Sequence, residues 1–421
     1  MNFLLKYPTR GRPDWFRQTL AAYYSKLSGR HEYRFVVTMD TDDESMNNAP
    51  MRNWLNGQSN LEYHYGGHKT KIEACNAGMP DDDWDIVVLV SDDMIPIVHG
   101  YDDIIARQMQ ASFPGLDGVL HFWDGYCGKP VLEAGKNAAP MTLSIVGRKF
   151  YDHMGFLYWP AYEGQWCDND ITDLAKIRGK YWSTEQTIIQ HKWQEHGKYR
   201  GDEVYQKGCR AYQQDGAIYD WRFERKFPVK FSQNDEDSVI RKYFKDRYRG
   251  RFLDIGAADG VTFSNTRILY DMGWTGVAVE PSPNMCKAHA EHCPRTKLIP
   301  AALAEQDGPL EMYHAPGFVS TTNERHRDVW ANGGVQYDKI GVDGICWQTL
   351  LANYGCDFDF LNLDIEGENI SILKLIPKDY LERLRLVCVE YDNDAAAIRQ
   401  VVEPFGFKLI HTTSENVLWA K

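Results

Sequence analysis

The chain has 421 residues, long for one hydrophobic core and comfortable for two. Hydrophobic residues make up 43% and charged residues 25%, which excludes a disordered or low-complexity chain. The formal net charge of −12 argues against nucleic acid as the main partner, because phosphate binding favours a basic surface. No apolar run approaches the ~20 residues that a membrane span needs. The cysteines, Cys209 among them, are scattered without a CxxC pair. Free thiols in a reducing compartment are therefore expected, rather than a zinc site or disulfide framework. The opening stretch from Met1 to Tyr7 reads as a strand and not as a secretion signal, so a cytoplasmic location is expected. Nothing in the sequence sets an oligomeric state.

In the first half, apolar runs at 3–7, 33–39, 86–90 and 118–122 predict strands, and 14–27 and 71–77 predict helices. Alternation of this kind implies an α/β layered domain with a mainly parallel sheet. Such sheets bind ligands beyond the carboxyl ends of their strands. Polar clusters fall at those ends: Thr9, Arg10, Gly11 and Arg12; Asp40, Asp42 and Asp43; Ser91, Asp92 and Asp93. An acidic turn at a strand end offers hard oxygen ligands suited to Mg²⁺ or Mn²⁺. An isolated Asp pair is usually only a solvated turn. Here it has company in the cations Arg10 and Arg12, which suit phosphate, and in Asp40, which can accept from a base N–H. Lys71 and Asn76 lie just upstream of the turn. Asp168 and Asp170 sit beside Trp166, and His191 follows.

These motifs, PTRGRP, Asp40, KIEACNAG, the SDD turn, DGVLHFWDGY and WCDND, make residues 1–226 resemble a GT-A-fold glycosyltransferase of the family-2 type. The resemblance implies a nucleotide-sugar donor held by Thr9, Arg10, Arg12, Asp40, Lys71 and Asn76. It implies a divalent metal (Mn²⁺ or Mg²⁺) on Asp93, with Asp92 assisting and His191 completing the shell. Ser91 departs from the family's DxD, which would carry an acid there. The family inverts configuration with one carboxylate as base on a glycan acceptor hydroxyl. Asp168 fits that role first and Asp170 second.

A second α/β pattern follows, with strands predicted at 251–255, 276–280, 358–364, 386–391, 407–410 and 417–419. The polar stretch 227–234 reads as a linker between a domain at 1–226 and another at 235–421. Asp254, Gly256 and Gly260 form a DxGxxxG turn at a strand-to-helix junction, where glycines let backbone approach a ligand. It is not a dinucleotide GxGxxG, and no Walker lysine is present. Glu280 ends the next strand, where an acid can accept both ribose hydroxyls. Asp364, Glu366 and Gly367 reach the same edge. The plainer reading of that pair is an acidic helix N-terminus favoured by the dipole.

From about Phe231 onward the chain resembles the FkbM family of S-adenosylmethionine-dependent methyltransferases. The matching pieces are SQNDED, FLDIGAADGVTFSNT, GWTGVAVEPSP, STTNERHRDVW, FDFLNLDIEGEN and LVCVEYDN. The resemblance implies a Rossmann-like class I fold. Asp254, Gly256 and Gly260 would hold the amino-acid part of S-adenosylmethionine, and Glu280 its ribose. Asp364 and Glu366 would stand at the transferred methyl, as base or metal ligand. His326 is a second candidate base, and a surface histidine is its plainer reading. Ala258 stands where many such enzymes carry another Gly. Together the two resemblances imply a bifunctional glycan-modifying enzyme, a nucleotide-sugar glycosyltransferase joined to an O-methyltransferase. The alternatives are an O-methyltransferase with a non-catalytic glycan- or nucleotide-binding domain, and an interaction protein without activity.

Overall fold

A computed structural model describes residues 1–136, 138–192, 211–245, 249–391 and 394–421. Cys209 and the last two residues of LVCVEYDN lie outside these. The chain divides into two compact units, Met1–Val229 and Lys230–Lys421.

The first unit contains β1 (Asn2–Pro8), β2 (Glu32–Asp40), β3 (Leu61–Gly66), β4 (Ile86–Leu89), β5 (Met94–Pro96), β6 (Val119–Phe122), β7 (Ile145–Gly147), β8 (Tyr181–Thr184) and β9 (Ile189–His191). Among the described residues the main sheet has the order β3-β2-β1-β4-β7-β6-β8. Its neighbours are parallel except for β7, which runs antiparallel to both β4 and β6. β1 lies central and is buried from Phe3 to Tyr7, which is why it reads as an apolar run broken only by Lys6. The helix Pro13–Ser25 packs Phe16, Leu20 and Tyr23 into the core at helical spacing. This is the α/β layering expected of a GT-A fold. β3 escapes the apolar-run criterion because it is only half covered, with Glu62 and His64 exposed between its partly buried residues. β5 and β9 pair antiparallel apart from the main sheet and set Met94 opposite His191.

The second unit contains β10 (Arg251–Ile255), β11 (Thr275–Val279), β12 (Lys297–Ile299), β13 (Ala302–Leu303), β14 (Gly308–His314), β15 (Asp338–Ile345), β16 (Phe360–Leu363), β17 (Leu386–Glu390), β18 (Lys408–Thr412) and β19 (Asn416–Ala420). The main sheet runs β12-β11-β10-β16-β17-β19-β18. The first five strands are parallel, and β19 is antiparallel to both neighbours, giving a Rossmann-like sheet with an antiparallel edge. The order reverses between β10 and β16, the kind of switch point where such sheets bind ligands. β13, β15 and β14 form a separate sheet that sequence patterning does not reveal. β15 alternates between exposed and partly buried positions and has no apolar run.

The stretch expected to be a linker is largely taken up by the two units. Phe227 is fully buried and packs on Tyr219 and Phe223, while the Pro228 carbonyl accepts from Arg222. Phe231 is buried in the second unit, and Ser232 bridges to Phe263. Aromatic anchors inside a polar stretch explain why composition alone marks a linker there.

Candidate functional sites

In the first unit the ends of β1, β2 and β4 bring the predicted residues close together, but their duties differ. Asp92 is buried and turned inward, accepting from the Tyr7 hydroxyl at 3.1 Å and from Thr9 Oγ1 at 3.1 Å. Burial and the neighbouring Asp93 charge push its pKa up to about 7. Thr9, expected at the donor, and Asp92, expected to assist the metal, thus tie the first strand end to the acidic turn. Arg10 bridges Asp40 at 2.7 Å and Asp42 at 2.6 Å, and Asp40 also lies 2.7 Å from His68 Nδ1. Asp43, unremarked as a site residue in the sequence, accepts the Gly11 N–H at 2.7 Å and so shapes the PTRGRP loop. Arg12 lies within electrostatic reach of Asp92 and Asp93.

Asp93 and His191 do meet. His191 Nε2 is 3.4 Å from Asp93 Oδ2, and Ser91 Oγ donates to Asp93 Oδ1. Burial opposes ionisation of Asp93, but the bonds from His191 and Ser91 outweigh it and hold the carboxyl below the usual range. On its other side, His191 Nδ1 lies 3.2 Å from Asp124 Oδ2. Burial disfavours the imidazolium, yet the hydrogen bonds to Asp124 and Asp93 lift the His191 pKa to about 11. Asp124 escaped the sequence reading although it lies in the DGVLHFWDGY motif. Its partners come from distant segments, and an Asp-Gly after a strand reads as a turn.

Lys71 opens the helix Lys71–Asn76, is exposed, and acts electrostatically on both Asp168 and Asp93. Asn76, expected at the donor, has a structural duty. Its Oδ1 accepts the N–H groups of Leu157 and Tyr158, its Nδ2 donates to the Tyr158 carbonyl, and it is buried. Both oxygen lone pairs and one amide hydrogen serve the backbone, so the side chain is tied to the Leu157–Tyr158 segment. Asp168 and Asp170 separate clearly. Asp170 is buried in an ion pair with Arg222 and accepts from Tyr162 OH at 2.8 Å. Asp168 is half-buried in the first turn of the helix Cys167–Ile177, where the charges of Lys71 and His191 act on it. Burial raises its pKa. The preceding loop is pinned by buried Asp215, which accepts the N–H groups of Glu163, Gly164 and Gln165.

In the second unit a cleft opens at the switch point, lined by Gly256, Ala258, Glu280, Asn265, Asp364 and Glu366 among others. Gly256 has φ +81°, and a Cβ there would lie 1.7 Å from the Asp364 carbonyl oxygen. No side chain fits, which explains the glycine. Glu280 accepts from the Ala258 N–H at 2.9 Å and the Ser282 N–H at 2.7 Å. Burial still pushes its pKa up to about 7. Asp254 is buried and accepts from Thr266 Oγ1 and, at 2.9 Å, from Asn362 Nδ2. Asn265 donates to Asn362 at 3.0 Å, while its own Oδ1 is buried without a protein partner. Asn265 was missed because an asparagine in a turn has an ordinary local explanation.

Glu366 and His326 are brought together, with His326 Nε2 2.7 Å from Glu366 Oε2. The Trp330 indole Nε1 lies 2.9 Å from the same imidazole nitrogen. Glu366 itself has φ +53°, a strained conformation for a residue with a side chain. Thr321 Oγ1 donates to the Glu366 carbonyl at 2.7 Å and Asn323 Nδ2 to the Gly367 carbonyl at 3.1 Å. The STTNERH stretch therefore latches onto the DIEG loop.

Residues 254–409 match the methyltransferase FkbM domain. No curated protein matches the chain in sequence. Among solved structures it is similar to the mannosyltransferase PcManGT from Pyrobaculum calidifontis in complex with GDP-Man and Mn²⁺, at 14% identity and a TM-score of 0.34, over 44% of this chain and 54% of that one. It is similar to S. aureus TarS 1-349 in complex with UDP-GlcNAc, at 12% identity and a TM-score of 0.35, over 45% and 58%. It is also similar to monomeric WbdD, at 15% identity and a TM-score of 0.26, over 45% and 41%. The chain thus spans about half the length of these structures. Among the described residues no helix is long and apolar enough to cross a membrane.

Proposed function

We propose that the chain is a bifunctional glycan-modifying enzyme, transferring a sugar from a nucleotide-sugar donor and O-methylating a sugar hydroxyl with S-adenosylmethionine. The observation that carries this reading is that each unit gathers charged residues at its own strand-end site, and the second of these lies in an FkbM domain.

In the first unit Asp93 and His191 Nε2 face one another at 3.4 Å, a carboxylate and imidazole pair that suits Mn²⁺. Asp93 and His191 would hold such a cation, whose charge, with those of Arg12 and Lys71, would offset that of a departing nucleoside diphosphate. Asp168 takes the acceptor hydroxyl proton, a contribution of ~10²–10⁴-fold in general. The acceptor oxygen bonds to the anomeric carbon as the bond to the diphosphate breaks, in a single inverting displacement. Arg10 and Asp40 stand together at the β2 end for the nucleoside.

In the second unit Glu280 accepts the ribose hydroxyls of S-adenosylmethionine, and the Gly256–Gly260 turn admits its amino-acid part. The unpartnered Asn265 Oδ1 suits the cofactor's ammonium. Asp254 acts behind this surface by holding Thr266 and Asn362. Bound there, the cofactor supplies an electrophilic methyl on sulfonium. The protein's task is to align the acceptor oxygen and accept its proton. Asp364, which lines the cleft, and the Glu366–His326 pair are the groups assigned that task.

The inward Asp92 leaves Asp93 as the turn's one outward acid, which favours a second reading in which the first unit only binds nucleotide or glycan. Turnover by the wild-type chain separates the two, and Asp93→Ala tests the metal site. On the proposal this variant abolishes Mn²⁺-dependent turnover of nucleotide sugars and leaves S-adenosylmethionine binding intact. A wild-type chain that turns over no nucleotide sugar with Mn²⁺ present, in a screen of UDP-, GDP- and TDP-sugars, selects the second reading.

A further inference from the structure

We infer that Asp124 is a positioning residue for the donor-site cation, fixing the His191 ring through Nδ1 so that Nε2 is presented beside Asp93. The inference rests on the donor-site reading above. Asp124 is 2% exposed and is itself held on every side. Its Oδ1 accepts the N–H groups of Tyr126 and Cys127, each at 2.9 Å, and its Oδ2 accepts from Thr142 Oγ1 at 2.8 Å. The Asp124 carbonyl accepts the His191 N–H at 2.8 Å. Asp124 therefore grips His191 twice, once through the backbone and once through Nδ1. The rest of His191 is equally constrained. β9 pairs it with Met94, one residue beyond Asp93, and the Lys192 N–H donates to the Asp93 carbonyl at 2.8 Å. The Tyr126 ring lies edge-on to the imidazole with centroids 5.6 Å apart.

A histidine that binds a metal through one ring nitrogen commonly donates its other N–H to a carboxylate. That bond selects the tautomer, fixes the ring plane and raises ligand basicity. Here Nδ1–H on Asp124 leaves Nε2 as the nitrogen for a cation on the Asp93 side, the cation displacing the Nε2 proton. Asp124→Asn keeps the oxygen that receives the two backbone N–H groups. It places an amide NH₂ against Nδ1–H, donor against donor, so the ring loses its preferred tautomer without losing its packing.

The test is calorimetry of Mn²⁺ on the full chain, with His191→Ala and the double variant completing a cycle. Asp124→Asn is expected to weaken Mn²⁺ binding by about 10–100-fold, the usual effect of removing such an outer partner. In the His191→Ala background the same change is expected to do nothing further, because Asp124 acts through the imidazole. A general structural role would lower affinity equally in both backgrounds, and that result overturns the inference. So does an Asp124→Asn affinity within twofold of wild type. If Asp124→Asn does not fold, Thr142→Val loosens the same carboxylate, and an unchanged Mn²⁺ affinity then overturns the inference instead. A wild-type chain that binds no Mn²⁺ overturns the donor-site reading itself, and the inference with it.

Discussion

At Glu280 two backbone N–H groups stabilise the carboxylate, yet burial leaves the folded-state pKa at about 7, above the ordinary value. The sign follows directly. Between the ordinary glutamate value, ~4.3, and pH 7, the folded chain holds a proton that the unfolded chain has released. This group's contribution to stability therefore falls as pH rises through that window and is flat above it. On the proposed reading ligand binding runs the other way, since ribose hydroxyls would need the ionised carboxylate as acceptor. S-adenosylmethionine affinity at pH 6 should be about tenfold below that at pH 8, because one pH unit below the pKa leaves ~10% ionised. Glu280→Ala should weaken binding at pH 8 and flatten the pH dependence, with each lost charge-assisted bond worth ~1.5–3 kcal/mol. Calorimetry at the two pH values checks both. At this scale the sequence is informative about which residues reach a strand end and silent about which way they turn. Asp92 and Asp93 are adjacent and chemically identical, yet one bonds inward to Tyr7 and Thr9 and the other faces His191. That choice is made by partners far away in sequence.

The helix Cys167–Ile177 shows the same division within one element. Asp168 and Asp170 are two residues apart, hence on different sides of the helix. Trp166, in the left-handed region at φ +61°, aims the first turn. Asp170 then meets Arg222 on the helix Tyr212–Glu224, and Asp168 is left toward Lys71 and His191. Arg222 is about 1% exposed, so removing its partner strands a buried charge. Asp170→Ala should cost about 3–5 kcal/mol of stability in denaturant unfolding. Asp168→Asn should leave stability within about 0.5 kcal/mol, as expected away from such features. Equal destabilisation by both variants would contradict the separation of roles. Elements whose faces are both covered were legible as apolar runs, β1, β10 and β17 among them. β3, β14 and β15 were not, because partly exposed strands alternate, and polar residues hide the period.

For the whole molecule, the two-domain organisation makes the broadest prediction. Each unit has its own sheet and its own core, one built around Leu5, Val37 and Val88, the other around Leu253, Val279 and Leu361. Among the described residues each of these two clusters is drawn from its own unit, so each piece should fold alone. The cut must fall between Val229 and Lys230. Cutting after Lys226 instead strips buried Phe227 and the Pro228 carbonyl from the first unit, and Arg222 loses an acceptor. A fragment 1–229 should therefore unfold cooperatively at a higher denaturant concentration than a fragment 1–226. The fragment 230–421 keeps Phe231 and the Ser232 bridge to Phe263, and with them the wall of the cleft that Gln233 lines. It should bind S-adenosylmethionine with the affinity of the full chain, whereas a fragment starting at 235 should bind more weakly. The fragment 1–229 should bind a nucleoside diphosphate only when Mn²⁺ is present. S-adenosylmethionine binding to 1–229, or its absence from 230–421, would falsify the partition, because the adenosine-type turn and Glu280 belong wholly to the second unit.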